Sequence, residues 1–474
     1  MNELTQIPAP ETLAATGTIA ERLAAFIETL PGREIPAATR ERARYLILDA
    51  VGIALASTQY DFSHRTHAAL ASFGEGSHDV IGYGTRLPLR DAVMMNGFLV
   101  HGLDYDDTHT RGVIHATASC LPTAMGQAAE GDRSGRDLLT AYIGGMEVAT
   151  RLGSVAKGGF HQTGFHPTGL IGAFSAALIA GQLRGLTAKQ LAHAQGIALS
   201  MASGSLEFLQ DGAWTKRMHP GWAGVAGITA AALARAGFIG PKETYEGRFG
   251  LYASHLGPLA EACDLSLATE ALGEAWEVTA VAVKPLPACH FTHACADSAV
   301  ALREAHAIRP EQIESVRALI PAEVVKTVCE PVRHKQKPQN SYDAQFSIPY
   351  AVASGLVKGR FGLAELEPEA LNDPEVLGIA RKVAYEVDPN SAFPKYYSGE
   401  VIVRLKDGRE IAHREHVNRG ASDRPLSAAE ITTKFRENAA MALAPSGVAR
   451  VEEAVLGLDD GISARGLAAV LAGR

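Results

Sequence analysis

The chain has 474 residues, 47% of them hydrophobic and 20% charged, which is enough apolar mass for a large core and, by length, for two or three domains. Its formal net charge of −8 excludes the basic surface that nucleic-acid phosphates attract, and means that an anionic substrate needs a local positive pocket. Aromatic residues make up only 6%, which favours closely packed helices over a β-sandwich.

The first residues, MNELTQIPAPETL, are polar and lack the apolar core of a signal peptide. Apolar residues then recur at i, i+3, i+4 and i+7 in TIAERLAAFIETL and ATRERARYLILDAVGIALAS, as they do on one face of a helix. DLLTAYIGGMEVATRLG and AKQLAHAQGIALSMAS repeat the pattern, so residues 17 to 260 read as helix after helix. Two of these helices are expected to begin at His-Pro dipeptides, HPTGLIGAFSAALIAG and HPGWAGVAGITAAALA, because proline is tolerated in a first helical turn. The most lipid-like run, AGVAGITAAALARAGFIG, carries Arg235 and reads as a buried helix rather than a membrane span.

Near residue 275 the texture changes. WEVTAVAV alternates like a strand, HACADSAVALREAHA reads as a helix and ESVRALIPA as another strand. A loop, HKQKPQNSYD, precedes a helix from Phe346 to Val357, and VIVRLKDGREIAHREHV reads as a hairpin turning at Asp407-Gly408. From Ser427 the chain is helical again. The expected architecture is mainly α, with a large all-helical domain (1–276) interrupted by a smaller α+β unit (277–417) and completed by a helical return (418–474). Cys120, Cys263, Cys289, Cys295 and Cys329 are odd in number and contain no CxxC, which argues against a disulfide framework and for a reducing, cytoplasmic setting.

HGLDYDDTHTRGVIHATAS, residues 101 to 119, gathers acids and histidines in an otherwise Ala/Gly/Leu-rich chain. If the preceding helix continues, His101, Asp104 and Thr108 share one face, and His115 follows a loop containing Gly112. Three readings are open here: a solvated loop, a divalent-metal site built from His101, Asp104, His109 and His115, or a metal-free site in which a carboxylate tunes a histidine for proton transfer. The metal reading would make the chain a metal-dependent hydrolase. GGFHQTGFHPTG sets His161 and His166 ahead of a helix N-terminus, where backbone N–H groups favour anions. DGAWTKRMHPG places Lys216, Arg217 and His219 before the second His-Pro helix, and KPLPACHFTHACAD supplies Lys284, His290 and His293.

Together, HGLDYDDT, GFHPTG, DGAWTKRMHPGWAG, KPLPACHFTHACAD and DAQFSIPYAVA, in this order along almost the whole chain, resemble the MmgE/PrpD family of 2-methylcitrate dehydratases, cis-aconitate decarboxylases and iminodisuccinate epimerases. The resemblance implies a helical domain with a smaller α+β lid, a homodimer, and an active site between the two domains. It implies a small anionic carboxylate as substrate and neither a metal nor an organic cofactor. It places Asp104, Thr108, His115, His166, Lys216 and Lys284 in the pocket; His115, His166, Lys216 and Asp104 are the expected catalytic residues, and Thr108 and Lys284, with His290 and Arg217 as further candidates, the expected substrate-binding ones. Where the decarboxylase branch has a histidine after the lid's Pro-Ala, this chain has Cys289, with His290 one step later. The expected reaction is proton abstraction α to a carboxylate, with dehydration or hydration favoured. The alternative within the family is epimerisation of an amino-dicarboxylate, for which Tyr142 is the candidate acid.

Overall fold

The computed structural model describes residues 17–474; the N-terminal stretch from which the lack of a signal core was read lies outside them. Mainly α structure is what the chain adopts. Helices Ile19–Thr29, Ala37–Ser57, Gly135–Val155, Pro167–Leu183, Ala188–Leu199 and Thr215–Arg235 fall where the 3.6-residue periodicity puts them. Several start on reciprocal caps, among them Thr18 with Glu21, Ser134 with Asp137 and Thr187 with Gln190, which satisfy backbone donors that the first turn leaves unpaired. Helices Pro167–Leu183 and Thr215–Arg235 pack almost backbone to backbone. A methyl group at Gly227 would lie 2.4 Å from Ala176 Cβ, so the scarcity of large side chains here sets the helix spacing. No helix among the described residues is long and apolar enough to cross a membrane.

Buried side chains form two main hydrophobic clusters. One draws on Ile19 through Val283 and again on Leu426 through Leu471. Phe435, Val451 and Leu467 of the C-terminal helices are part of it, and Lys434 reaches back to Asp49 at 2.8 Å. The other is built mostly from Ala288 through Leu405. Its sheet runs in the order Val383–Val387, Ile313–Ile320, Gly399–Leu405, Glu410–Glu415. The first pair is parallel and the other two are antiparallel, with Ala318 opposite Val401 and Val316 opposite Val403. The inward residues of these strands, Val316, Ala318, Val401 and Val403, are at most 1% exposed and join a core with helices His290–His306 and Ile348–Lys358.

Four expectations need correction. A hairpin, His78–Val80 with Tyr83–Leu87, interrupts the helical run. WEVTAVAV is not a strand of the smaller unit: Glu277–Ala280 is a 3-10 turn, and only Val281–Ala282 is extended, paired with Thr108–His109. Its Val278, Val281 and Val283 belong to the larger cluster, so alternation here reflects burial on one side of a turn rather than a pleated ribbon. The Lys/Gln/Pro-rich loop contains short helices at Val332–Gln336 and Ser341–Ala344. The second His-Pro helix begins at Thr215, ahead of the dipeptide, which places Lys216 and Arg217 in its first turn rather than in a loop before it.

Candidate functional site

Helix Leu89–Val100 does not run on to Thr108; it ends with His101 as its cap. Asp104 then takes a left-handed backbone conformation (φ 49°), one that aspartate tolerates better than most residues. The shared helix face expected for His101, Asp104 and Thr108 therefore does not exist, and a sharp turn brings the carboxylate inward instead. Asp104 is fully buried. Its Oδ1 accepts from Lys216 Nζ at 2.8 Å and from Lys284 Nζ at 2.9 Å, and Lys284 also donates to the Asp104 carbonyl at 2.9 Å. Burial alone would push this carboxyl up, but the two ammonium groups outweigh it and hold Asp104 well below the usual carboxylate range. Burial likewise opposes the charge on Lys284, and Asp104 more than restores it.

Three histidine rings gather beside this unit, with centroids 5.2 Å apart for His101–His115, 5.4 Å for His101–His166 and 6.0 Å for His115–His166. His115 Nδ1 lies 2.7 Å from the Asp107 carbonyl and 3.2 Å from Thr108 Oγ1. A carbonyl only accepts, so Nδ1 carries the proton and Nε2 is left with its lone pair. His166 caps helix Pro167–Leu183; its Nδ1 faces His219 Nδ1 at 3.1 Å, and its Nε2 is buried with no protein partner. His101 is tied to Asp106 at 2.8 Å. Burial, followed by Lys284 and Lys216, depresses His115 well below the ordinary histidine value; burial, followed by Lys216 and His219, does the same to His166. Both rings are therefore neutral near pH 7 in this state.

Thr108, His115, His166, Lys216 and His290 line one small cavity of about 30 Å³, whose apolar lining comes from the second hydrophobic cluster. Lys284 stands behind it on Asp104. Its remaining wall includes Val113, Phe208, Phe291 and Phe346, with Lys216 Nζ 4.8 Å above the Phe346 ring. Cys289 also lines it, its thiol pushed up to about 11 by burial first and the nearby Asp104 charge second. His290 hydrogen-bonds Asn418 at 2.8 Å, and burial lowers it to about 3.

Other candidates face elsewhere. The Arg217 guanidinium is wedged between Phe62 and Tyr342, 4.3 and 4.0 Å from their ring centres, and donates to the Gly102 carbonyl at 2.7 Å. It borders a separate cleft with Trp214 and Lys337, which argues against its assignment to this cavity. Tyr142 is buried in the larger cluster on Thr117, 2.7 Å away, away from the position of an acid for epimerisation. His109 turns to Glu277 at 3.0 Å, so the imagined metal cluster does not converge; among the described residues no group of three or more His, Cys, Asp or Glu is arranged to hold a metal ion. His161 and Tyr397 line the cavity without having been selected. The GFHQ segment flagged the histidine, but nothing in the sequence distinguishes Tyr397, which arrives from the distant smaller unit.

The fold and site define a helical protein with a buried pocket of neutral histidines around one carboxylate holding two lysines, a pocket suited to anionic substrates. The chain belongs to the MmgE/PrpD family: the MmgE/PrpD N-terminal domain matches residues 21–261 and the MmgE/PrpD C-terminal domain residues 286–460. It is similar to the cis-aconitate decarboxylase of Mus musculus, 28% identical with 94% of this chain and 91% of the relative covered. It is also similar to the cis-aconitate decarboxylase of Homo sapiens (27%, covering 94% and 92%) and to the cis-aconitate decarboxylase-like protein oryM of Aspergillus oryzae (26%, covering 96% and 98%).

Proposed function

We propose that this enzyme is a cofactor-independent lyase that moves a proton at the carbon α to a carboxylate of a small di- or tricarboxylic acid. The observation that carries the reading is Asp104 bound by both Lys216 and Lys284. Two cations on one carboxylate leave a surplus positive charge, and Lys216 borders the cavity. That charge suits a substrate carboxylate and stabilises the enolate-like anion formed beside it.

Loss of CO2 is the favoured outcome, because the named relatives are decarboxylases and the wall of Val113, Phe208, Phe291 and Phe346 strips water from a departing carboxylate. In this scheme the departing group leaves from its carboxylate form, and the lone pair of His115 Nε2 takes up any proton that it still carries and returns it to water when the cavity opens. The C–C bond breaks, CO2 leaves, and the bonding pair moves into the adjoining unsaturated system. The carbon α to a remaining carboxylate then takes a proton from His166 Nε2. Dehydration is the second reading, carried by the same His115 lone pair: the base would remove the α proton and His166 would protonate the leaving hydroxyl.

A cavity of about 30 Å³ is room for a single water rather than a tricarboxylate, so the unit carrying His290 must lift to admit substrate, and in this reading it acts as the lid. A homodimer and a cytoplasmic setting complete the proposal; the five cysteines, all free, fit a reducing compartment.

The test is a panel of di- and tricarboxylates headed by cis-aconitate, followed by ¹H and ¹³C NMR in D2O. Decarboxylation releases labelled bicarbonate and leaves one deuterium at the protonated carbon. Dehydration gives deuterium wash-in without bicarbonate. If no acid in the panel exchanges a proton or loses a group, the proposal is wrong.

A further inference from the structure

His166 raises a difficulty within the proposed reaction. It is neutral, because burial and Lys216 disfavour its charge. A neutral ring that gives up its Nε2 proton becomes an imidazolate, unless another proton reaches its Nδ1 at the same time. Among the described residues, the group on that nitrogen is His219 Nδ1, at 3.1 Å.

We propose that His219 is the outer member of a two-histidine proton relay that feeds the cavity through His166. An Nδ1···Nδ1 hydrogen bond holds a single proton, so one ring donates and the other accepts. With His219 donating, His166 keeps its proton on Nε2, the buried atom without a protein partner. His219 is the more open end. It is 8% exposed against 1% for His166, and its Nε2 is not sealed off as that of His166 is.

The geometry is held from both sides. The His166 backbone N–H donates to the Gly204 carbonyl at 2.8 Å. A Cβ at Gly169 would come within 2.8 Å of His219 Cβ, so only glycine lets the two helices bring the rings together. The titratable groups facing His219 are His166, Lys216 and His101, with the Phe208 ring 6.3 Å away and no carboxylate to trap the proton.

The proton count balances. A solvent proton binds His219 Nε2, the Nδ1 proton of His219 passes to His166 Nδ1, and the Nε2 proton of His166 goes to the substrate carbon. Both rings end neutral in the other tautomer. When product leaves and the cavity opens, His166 Nε2 takes a proton from water, the Nδ1 proton of His166 passes back to His219 Nδ1, and His219 Nε2 releases one, which restores the start. His219 is a positioning and relay residue; it does not touch substrate.

The relay rests on the proposed lyase reading, but its first test does not. In ¹⁵N-labelled full-length protein, a through-hydrogen-bond N–N coupling should link the Nδ1 atoms of His166 and His219, with His166 as the Nε2–H tautomer. In His219→Phe the coupling disappears and the His166 tautomer is released. Absence of the coupling in the wild type overturns the relay whatever the substrate. The second test is turnover. His219→Gln keeps a hydrogen-bond donor but cannot pass a proton on, so kcat should fall by at least ~10-fold with KM little changed, a fraction of what a general acid supplies. Wild-type turnover in His219→Gln would overturn the relay and leave His219 as a prop for His166. A wild type that shows the coupling yet acts on no carboxylate would refute the lyase reading and not the histidine pair.

Discussion

Two buried lysine–aspartate units lie in this molecule, and they behave differently. In one, Lys434 bonds Asp49 at 2.8 Å and the Tyr105 carbonyl at 2.9 Å, with the Tyr105 ring 3.7 Å below it. In the other, Asp104 holds Lys216 and Lys284. With one bonded cation, burial wins: Asp49 is pushed up, although Arg42 also acts on it through space, and Lys434 is pushed down. With two, the cations win and Asp104 is held well below its ordinary value. The first unit pairs one carboxylate with one ammonium group and ties helix Ala428–Ala439 to helix Ala37–Ser57. The second carries a net positive charge into a cavity. Stoichiometry of charge, more than burial, separates a structural pair from one that can act on an anion.

Lys216→Met removes that surplus charge and should cut turnover by ~10²–10³-fold, the scale of losing one donor to a developing oxyanion, with the fold intact by circular dichroism. The effect should fall on kcat more than KM, because the charge matters most in the transition state. Lys216→Arg should rescue little, since a planar fork does not replace a point charge. Near-normal turnover in Lys216→Met would erase the contrast between the two units.

His115→Gln and His166→Gln should each lower kcat by ~10²-fold or more, and deuterium incorporation from D2O should fall in parallel. A variant that loses affinity alone would reassign that histidine to binding.

Lys434→Met tests the other unit. It leaves Asp49 as an uncompensated buried charge, which costs ~3–5 kcal/mol when a buried pair is broken, so the melting temperature should drop while the folded fraction keeps its turnover within a few-fold. Loss of turnover without loss of stability would contradict a purely structural role.

Asp107 sharpens the comparison further, because its carboxylate is bonded by Thr117 rather than by an ammonium group, and Arg42 acts on it only through space. Burial, and then the charge of Asp106, push it up to about 8. Its folded pKa lies above an unfolded value of ~3.9, so its contribution is most favourable below that value and is lost as pH rises through about 8. Asp107→Asn should therefore raise the melting temperature by a few degrees at pH 8, with the gain fading toward pH 4 in calorimetry. A gain that grows on acidification would reverse the assignment. The smallest expected effect is that of prolonged EDTA treatment, which should leave turnover unchanged; loss with recovery on adding Zn²⁺ or Mn²⁺ would sink the reaction as proposed.

The helices were legible in the sequence from the apolar stripe, because that signal is local; the caps that start several of them, at Thr18, Ser134 and Ser427, came from the structure. The strands Ile313–Ile320 and Gly399–Leu405 were legible for the same reason. WEVTAVAV was misread because alternation over a few residues reports one-sided burial and does not say whether a partner strand exists. Candidate site residues stand out in the sequence as residue types: acids, histidines and lysines concentrated in Ala/Gly-rich surroundings. Their arrangement does not. Asp104 reaches the two lysines through a left-handed turn and not along a helix face, Arg217 is drawn away by Phe62 and Tyr342, and His219 meets His166 across two helices. The sequence by itself determined which chemistry the chain carries, since residue type and local periodicity depend on neighbours in the chain. Only the tertiary structure decided which groups share one cavity and which carry a proton there, because burial and charge pairing depend on side chains more than a hundred residues apart, as Lys216 and Lys284 are from Asp104.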